Sequence, residues 1–338
     1  MSRTLTIHRI GPAVTIQDMG RRGYIGEGVS RGGAADRLAL SEGAALLGQP
    51  DTLPALEMMG MGGEFEASED MRIALTGAEM RATIDGSPVV WNASHLLPAG
   101  ARLSIGPAIT GCYGYLHLAG GISGAAELGS VAAHLAAGLG RALQAGDTLR
   151  VNPDSGGETG HFLERDDRLT GADIRMVASY QTPLFAENEI ARFQSEALIK
   201  DARANRMGVR LNPSTTGFAA EDGRNIVSDS IMPGDIQITG DGTPFVLMTE
   251  CQTTGGYPRI GTVLPCDLAR VAQAAPGAPL RFRFVTLEEA VEIEQAQAGF
   301  RASLRQRLRP LIRDPHKIPN LLSYQLISGV IAGNEDYV

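Results

Sequence analysis

Two Asp-Gly dipeptides, each set between runs of β-prone residues, constrain the fold of this chain more than any other feature. Asp85-Gly86 lies between Met80–Ile84 and Ser87–Trp91, and Asp241-Gly242 lies between Asp235–Thr239 and Thr243–Met248. An Asp-Gly pair tolerates the positive φ angles of a two-residue hairpin turn, so each is predicted to join two antiparallel strands. The halves also echo one another: Asp85-Gly86-Ser87-Pro88 in the first corresponds to Asp241-Gly242-Thr243-Pro244 in the second. Each half then places a small-residue turn before a strand, Pro98 to Leu103 and Pro276 to Leu280. This faint repeat predicts two β-rich lobes of related construction. With 42 glycines in 338 residues, many turns and short strands are expected.

Helices are predicted at four places. Ala35 to Leu47 is periodic and stops at Gly48, a C-cap residue; Ser195 to Arg203 and Cys266 to Ala274 read as shorter helices. Leu287 to Leu311 carries Val291, Phe300, Leu304, Leu308 and Leu311 mostly at three- and four-residue spacing, with an arginine-rich polar face that reads as solvated. Gly156 to Thr170 is polar, rich in Gly and Asp and aperiodic, which makes it the expected linker. The expected organisation is therefore a β-rich lobe over residues 1–160, a second lobe over 170–290, and a C-terminal helix with an apolar tail over 291–338. In that tail Leu321, Leu322, Tyr324, Leu326, Ile327, Val330 and Ile331 are too apolar to lie free in water and are expected to dock, on the chain itself in preference to a partner.

Charge and composition exclude several functions. A formal charge of −8 is the opposite of a nucleic-acid footprint. No stretch reaches the roughly 18 apolar residues of a membrane span, and no signal-like N-terminus is present, so a cytoplasmic protein is expected. Cys112, Cys251 and Cys266 are widely spaced and read as buried thiols in a reducing compartment. There is no phosphate-cradling Gly-x-x-x-x-Gly-Lys loop, no Gly-x-Ser-x-Gly elbow, and neither lysine, Lys200 or Lys317, has the Met-Lys-Met setting of a biotin carrier. The six histidines are scattered, so no metal site is expected.

Four glycine-punctuated polar clusters remain. Gln17-Asp18-Met19-Gly20-Arg21 holds an arginine that forms either an exposed fork for a carboxylate, bicarbonate or phosphate, or a brace to Asp18. Asn205-Arg206-Met207-Gly208 and Pro233-Gly234-Asp235-Ile236-Gln237 are two more. The fourth, Gln252-Thr253-Thr254-Gly255-Gly256-Tyr257-Pro258, follows a predicted buried strand and reads either as an ordinary turn or as a loop that brings bare backbone to a ligand.

Taken in order, these clusters resemble a known family. Gly11-x-x-x-Thr15-Ile16-Gln17-Asp18-x-Gly20-Arg21-x-Gly23-Tyr24, Gly28-Val29-x-x-Gly32-Gly33-Ala34-Ala35-Asp36, Ala55-Leu56-Glu57, Arg206-Met207-Gly208-x-Arg210-Leu211 and Thr253-Thr254-Gly255-Gly256-Tyr257-Pro258 resemble the allophanate hydrolase subunit 2 family. That family takes in the C-type component of bacterial 5-oxoprolinase, Kip-type antagonists and a carboxyltransferase region of urea carboxylase. The resemblance covers roughly residues 5–290, with two departures: Gly111-Cys112-Tyr113 stands where an arginine is expected, and Ala204-Asn205 where Ser-Asp is expected.

The resemblance implies a mainly β architecture of cyclophilin-like barrels. It also implies a non-autonomous subunit acting on an amide or lactam beside a B-type sister subunit of the allophanate hydrolase subunit 1 family and an A-type lactam hydrolase. ATP, and carboxybiotin where used, would arrive through those partners, with no cofactor bound covalently here. It points to Gln17, Asp18, Arg21, Arg206 and Gln237 as catalytic groups, of which Gln17, Arg21, Arg206 and Gln237, with the Thr253 to Tyr257 backbone, would neutralise developing oxyanion charge, and Arg21 and Arg206 are expected to be exposed. Asp36, Glu57, Asn205, Met207, Thr253, Thr254, Gly255, Gly256 and Tyr257 are the corresponding substrate-binding candidates. The alternative is a regulatory protein that antagonises a Kip-type histidine-kinase inhibitor; a prolyl isomerase is discounted, because fold alone does not fix chemistry.

Overall fold

The computed structural model describes residues 3–170, 173–220 and 226–312. The apolar tail singled out above lies outside the described residues, as does most of the C-terminal segment expected with it. What is described is mainly β. Strands between Thr4 and Phe162, joined by Arg309–Pro310, make an 11-stranded sheet, and strands between Asp173 and Phe284 make a closed barrel.

The sheet is built around two long strands, Met71–Ile84 and Arg102–Leu118, which pair antiparallel through a series of bulges. Alternation puts Ile73, Leu75, Leu116 and Leu118 into one apolar core, all fully buried. The first Asp-Gly turn forms as expected: Asp85 and Gly86 have φ of 47° and 80°, the left-handed pair that a type I′ hairpin needs. The second does not repeat it. Pairing there ends at Ile238 with Pro244, and Thr239 to Thr243 forms a longer loop closed by the Thr239 N–H to Thr243 O bond of 3.0 Å. The difference has a cause in packing, because Gly242 lies so close to Gly217 that a Cβ there would meet its backbone at 2.7 Å.

The barrel takes its strands in the order Asp173–Val177, Arg259–Val263, Asp235–Ile238, Pro244–Leu247, Gly208–Asn212, Leu198–Lys200 and Pro279–Phe284, and closes by a parallel pairing of the first and last. Its interior holds Ile174, Ile236, Val246, Leu280 and Phe282. Leu198–Lys200 falls inside the helix expected over Ser195 to Arg203. The helix instead lies earlier, at Glu187–Ser195 (α2 in chain order), because closure of the barrel needs the buried Leu198 as a strand residue. Tertiary pairing here overrides local propensity.

Helix α1, Arg37–Leu47, packs on the long strand Met71–Ile84. Asp36 caps it by accepting the Ala39 N–H, and Gly48 ends it at φ 68°. Helix α3 is Leu268–Gln273, shorter than expected by a residue or two at each end. Helix α4 is Leu287–Ser303, opened by a capping box between Thr286 and Glu289. It stops well before Leu311: Leu304–Arg307 is a 3-10 turn, and Arg309–Pro310 leaves the helix to pair with His161–Phe162. Pro310 explains this, since the residue before a proline is held out of the helical region. The expected linker is also structured. It carries that two-residue strand and a 3-10 turn, Asp167–Thr170, whose Arg168 is buried.

Candidate functional site

The candidate residues assemble into three places, the first two of which meet at Glu250, whose carboxylate accepts the Ala136 N–H at 3.3 Å and lies 3.9 Å from His134 Nδ1. The first is a charged cluster buried where the sheet meets the barrel. Arg206 bonds Glu57, bonds Glu250 at 2.5 Å, and donates to Gly33 O at 2.6 Å. Glu57 also accepts from the Ala35 N–H at 2.8 Å and from the Tyr115 hydroxyl at 2.7 Å, while that hydroxyl accepts the Asp36 N–H. Burial opposes the Arg206 charge, but Glu57 and Glu250 outweigh it and hold the guanidinium protonated. Burial and the neighbouring Glu57 push the Tyr115 hydroxyl well up, so it stays a proton donor. Arg206 is therefore not the exposed fork expected; both its charge and its donors are already committed. Asp36 is likewise enclosed at 0% exposure, holding Arg168 and Gln273 besides the helix cap.

The second place is the loop after strand Thr15–Gln17. Gln17 donates to Thr15 Oγ1 and Ala133 O, and Asp18 is saturated by the Gly20 N–H, Ser130 Oγ and the Val131 N–H. Arg21 is 2% exposed and its Nη2 is bonded to Ala132 O at 2.5 Å. The exposed fork expected at Arg21 is thus a buried loop brace, and its anchor is a carbonyl instead of Asp18. Next to it, Ser30 Oγ and His134 Nε2 are 2.9 Å apart, and His134 Nδ1 accepts the Ala137 N–H. Nε2 therefore carries the proton and Ser30 accepts it, the reverse of what an activated serine nucleophile requires.

The third place is open. A cavity of about 440 Å³ on the barrel is lined by Asn205, Met207, Arg210, Gln237, Phe245 and Tyr257, together with Arg203, Ile231, Leu247, Cys251 and Gln252. The turn before strand Gly208–Asn212 supplies one wall: Asn205 Oδ1 accepts the Met207 and Gly208 N–H groups, which fixes its side chain by that oxygen. Gln237, on strand Asp235–Ile238, is buried, and its Nε2 has no hydrogen-bond partner among the described residues. Arg210 Nε is also buried without one, 3.9 Å from Asp201. Gln237 and Arg210 both line the cavity, and since a buried unpaired donor costs about 1–3 kcal/mol, an oxygen-bearing ligand that a small side-chain shift could pair with either is favoured. Among the described residues no carboxylate and no histidine lines the cavity, so these residues can bind and polarise but supply no general base.

The Thr253 to Tyr257 loop forms the rim. Thr254–Gly255 pairs with Asp229–Ser230 in a small two-stranded ribbon, Thr253 O accepts the Ile231 N–H, and only Tyr257 of this stretch lines the cavity. Gly255 is needed for space: a Cβ there would lie 2.5 Å from Gln237 Nε2.

Residues 27–284 match the family model described as carboxyltransferase domain, subdomain A and B. The chain belongs to this family. The carboxyltransferase A/B match spans the barrel and the sheet from Glu27 onward. Within it, the chain is 33% identical over 309 residues to the C-type component of 5-oxoprolinase from Escherichia coli (strain K12), covering 90% of this chain and 98% of that protein. The corresponding 5-oxoprolinase component of Haemophilus influenzae is 31% identical over 300 residues, covering 86% and 94%. The crystal structure of the K. lactis urea amidolyase superposes with a TM-score of 0.80 at 22% identity over 92% of this chain, which shares the fold; the chain spans 21% of that protein. Relatives of this carboxyltransferase A/B chain are thus subunits of enzymes.

Some residues of these three places are not singled out by sequence reasoning. Glu250 and His134 had no local motif. Arg210 stands in the Arg206-Met207-Gly208-x-Arg210-Leu211 motif without being taken as a site candidate, although alternation along Gly208–Asn212 puts it on the face of Gly208. Phe245 and Ile231 read only as core. Among the described residues no group of three or more His, Cys, Asp or Glu could hold a metal, and no helix is long and apolar enough to cross a membrane. The three cysteines are free thiols, with only Cys251 fully buried.

Proposed function

We propose that this chain is the C-type component of a cytoplasmic, ATP-dependent 5-oxoprolinase-type complex, acting with a B-type sister subunit and an A-type lactam hydrolase. ATP, and carboxybiotin if the complex transfers a carboxyl group, are supplied by those partners. Near end-to-end similarity to the C-type components of two 5-oxoprolinases supports the reading. The observation that carries it to a site is the barrel cavity, lined by Gln237 and Arg210, each with a buried nitrogen that has no hydrogen-bond partner among the described residues.

A lactam acid such as 5-oxoproline has a ring carbonyl and a carboxylate on a small apolar ring. The cavity offers the complementary set. Gln237 donates to the lactam oxygen, Arg210, which only approaches Asp201 at 3.9 Å, attracts the carboxylate, and Phe245, Ile231 and Leu247 pack the ring. Polarising the carbonyl by a fixed donor favours attack at its carbon, because charge grows on that oxygen as the amide opens. The base and the phosphoryl chemistry fall to the partners, as a cavity without carboxylate or histidine requires.

The test is Gln237→Leu in the assembled complex. Loss of one oxyanion donor is expected to lower kcat by about 10²–10³-fold with little change in melting temperature. Unchanged turnover would remove Gln237, and with it the cavity, from the reaction.

A further inference from the structure

The segment from Gly20 to α1 carries four arginines, and only Arg21 is sealed inside. Arg22 and Arg31 leave neighbouring positions, since the Arg21 N–H donates to Arg31 O at 2.8 Å, and Arg31 Nε is fixed to Met19 O at 2.9 Å. Arg37 is the first residue of α1. Its Nε is buried with no hydrogen-bond partner.

Among the described residues, none of Arg22, Arg31 and Arg37 makes an ion pair. The enclosed arginines elsewhere behave differently. Arg72 grips Asp154, Arg168 grips Asp36 and Glu42, Arg206 grips Glu57 and Glu250, and Arg259 grips Asp229 and Asp235. The acid facing Arg31 is Asp18, and its oxygens are already taken by Gly20, Ser130 and Val131. Burial, followed by the charges of Arg31 and Arg22, pushes the Arg37 guanidinium down to about 10. Arg31 and Arg22 repel the charge of Arg37, which has a buried idle donor, and Arg22 repels that of Arg31 more than Asp18 attracts it.

We propose that Arg22, Arg31 and Arg37 form a binding site for a phosphate-type dianion, either free phosphate or the phosphoryl end of a nucleotide. Three guanidiniums that make no ion pair among the described residues, with Asp18 as the acid that partly offsets Arg31, favour a doubly charged tetrahedral anion over a monocarboxylate, and their planar forks suit its oxygens. The site shares no residue with the Gln237 cavity, so its failure and the failure of the lactam reading are distinguishable.

Isothermal titration of the full chain at constant ionic strength tests it, with inorganic phosphate, ATP and succinate as probes. Saturable phosphate binding is expected, weakened at least tenfold in Arg37→Gln and several-fold in Arg22→Gln, with succinate at least tenfold weaker than phosphate. Arg22 is exposed, so its replacement keeps the test intact even if Arg37→Gln folds poorly. ATP binding tighter than phosphate would support a nucleotide as the source, and weaker ATP binding would support free phosphate. Absence of saturable phosphate binding, equal affinity for succinate, or phosphate binding unchanged in both variants would overturn the proposal.

Discussion

Arg206 and Glu42 are the side chains whose burial most changes what substitution should do. Arg206 lies between two buried glutamates, so Arg206→Ala leaves Glu57 and Glu250 without their cation. Removing one partner from a buried pair costs about 3–5 kcal/mol, and urea unfolding should show a loss of that size. An unchanged midpoint would mean that the cluster is hydrated and contributes little to folding. Glu42 carries a pH dependence. Burial raises its carboxyl from 4.5 to about 7, against the opposing pull of Arg168. The folded state therefore holds this proton more tightly than the unfolded state. Its contribution is full below about pH 4.5 and is lost as the pH rises through about 7, on the order of 3 kcal/mol in all. The wild type should lose stability between pH 5 and pH 8 relative to Glu42→Gln, measured by urea midpoints; parallel curves would contradict this.

At the scale of elements, the Thr253 to Tyr257 ribbon controls the cavity mouth through one missing side chain. Gly255→Ala places a methyl 2.5 Å from Gln237 Nε2 and 3.0 Å from Ile231 Cδ1. Since Gln237 must shift into the cavity to make room, KM in the assembled complex should rise about tenfold, a cost near 1.4 kcal/mol, with a nearly constant melting temperature. A normal KM would show that the mouth is not where substrate enters. The same elements show what sequence can reveal. Turn chemistry is local, so Asp85-Gly86, Gly48 and the Thr286 to Glu289 box are legible. Strand Leu198–Lys200 is not, because its structure comes from partners at Leu211 and Leu280. Motif order singles out Asn205, Met207, Gln237 and Tyr257, which do line one cavity. The burial of Arg21 and Arg206 is not legible, because the groups that enclose them, Ala132, Glu57 and Glu250, are distant in sequence.

At the scale of the whole molecule, the sheet and the barrel are joined by buried polar contacts instead of apolar packing alone. Gln273 of α3 reaches Asp36 and the Tyr113 backbone, and Arg206 reaches Gly33, so the junction is fixed in register by directional bonds. Such a body can present the Gln237 cavity in one geometry, but the cavity supplies no base and no nucleotide chemistry. Purified alone, the chain should neither hydrolyse ATP nor open 5-oxoproline. The decisive measurement is reconstitution of the A-type, B-type and C-type proteins with ATP and 5-oxoproline, following glutamate release. The account predicts release that requires this chain and falls about 10²–10³-fold when it carries Gln237→Leu. Full release from the A-type and B-type proteins without this chain, or robust ATP hydrolysis by this chain alone, would contradict it.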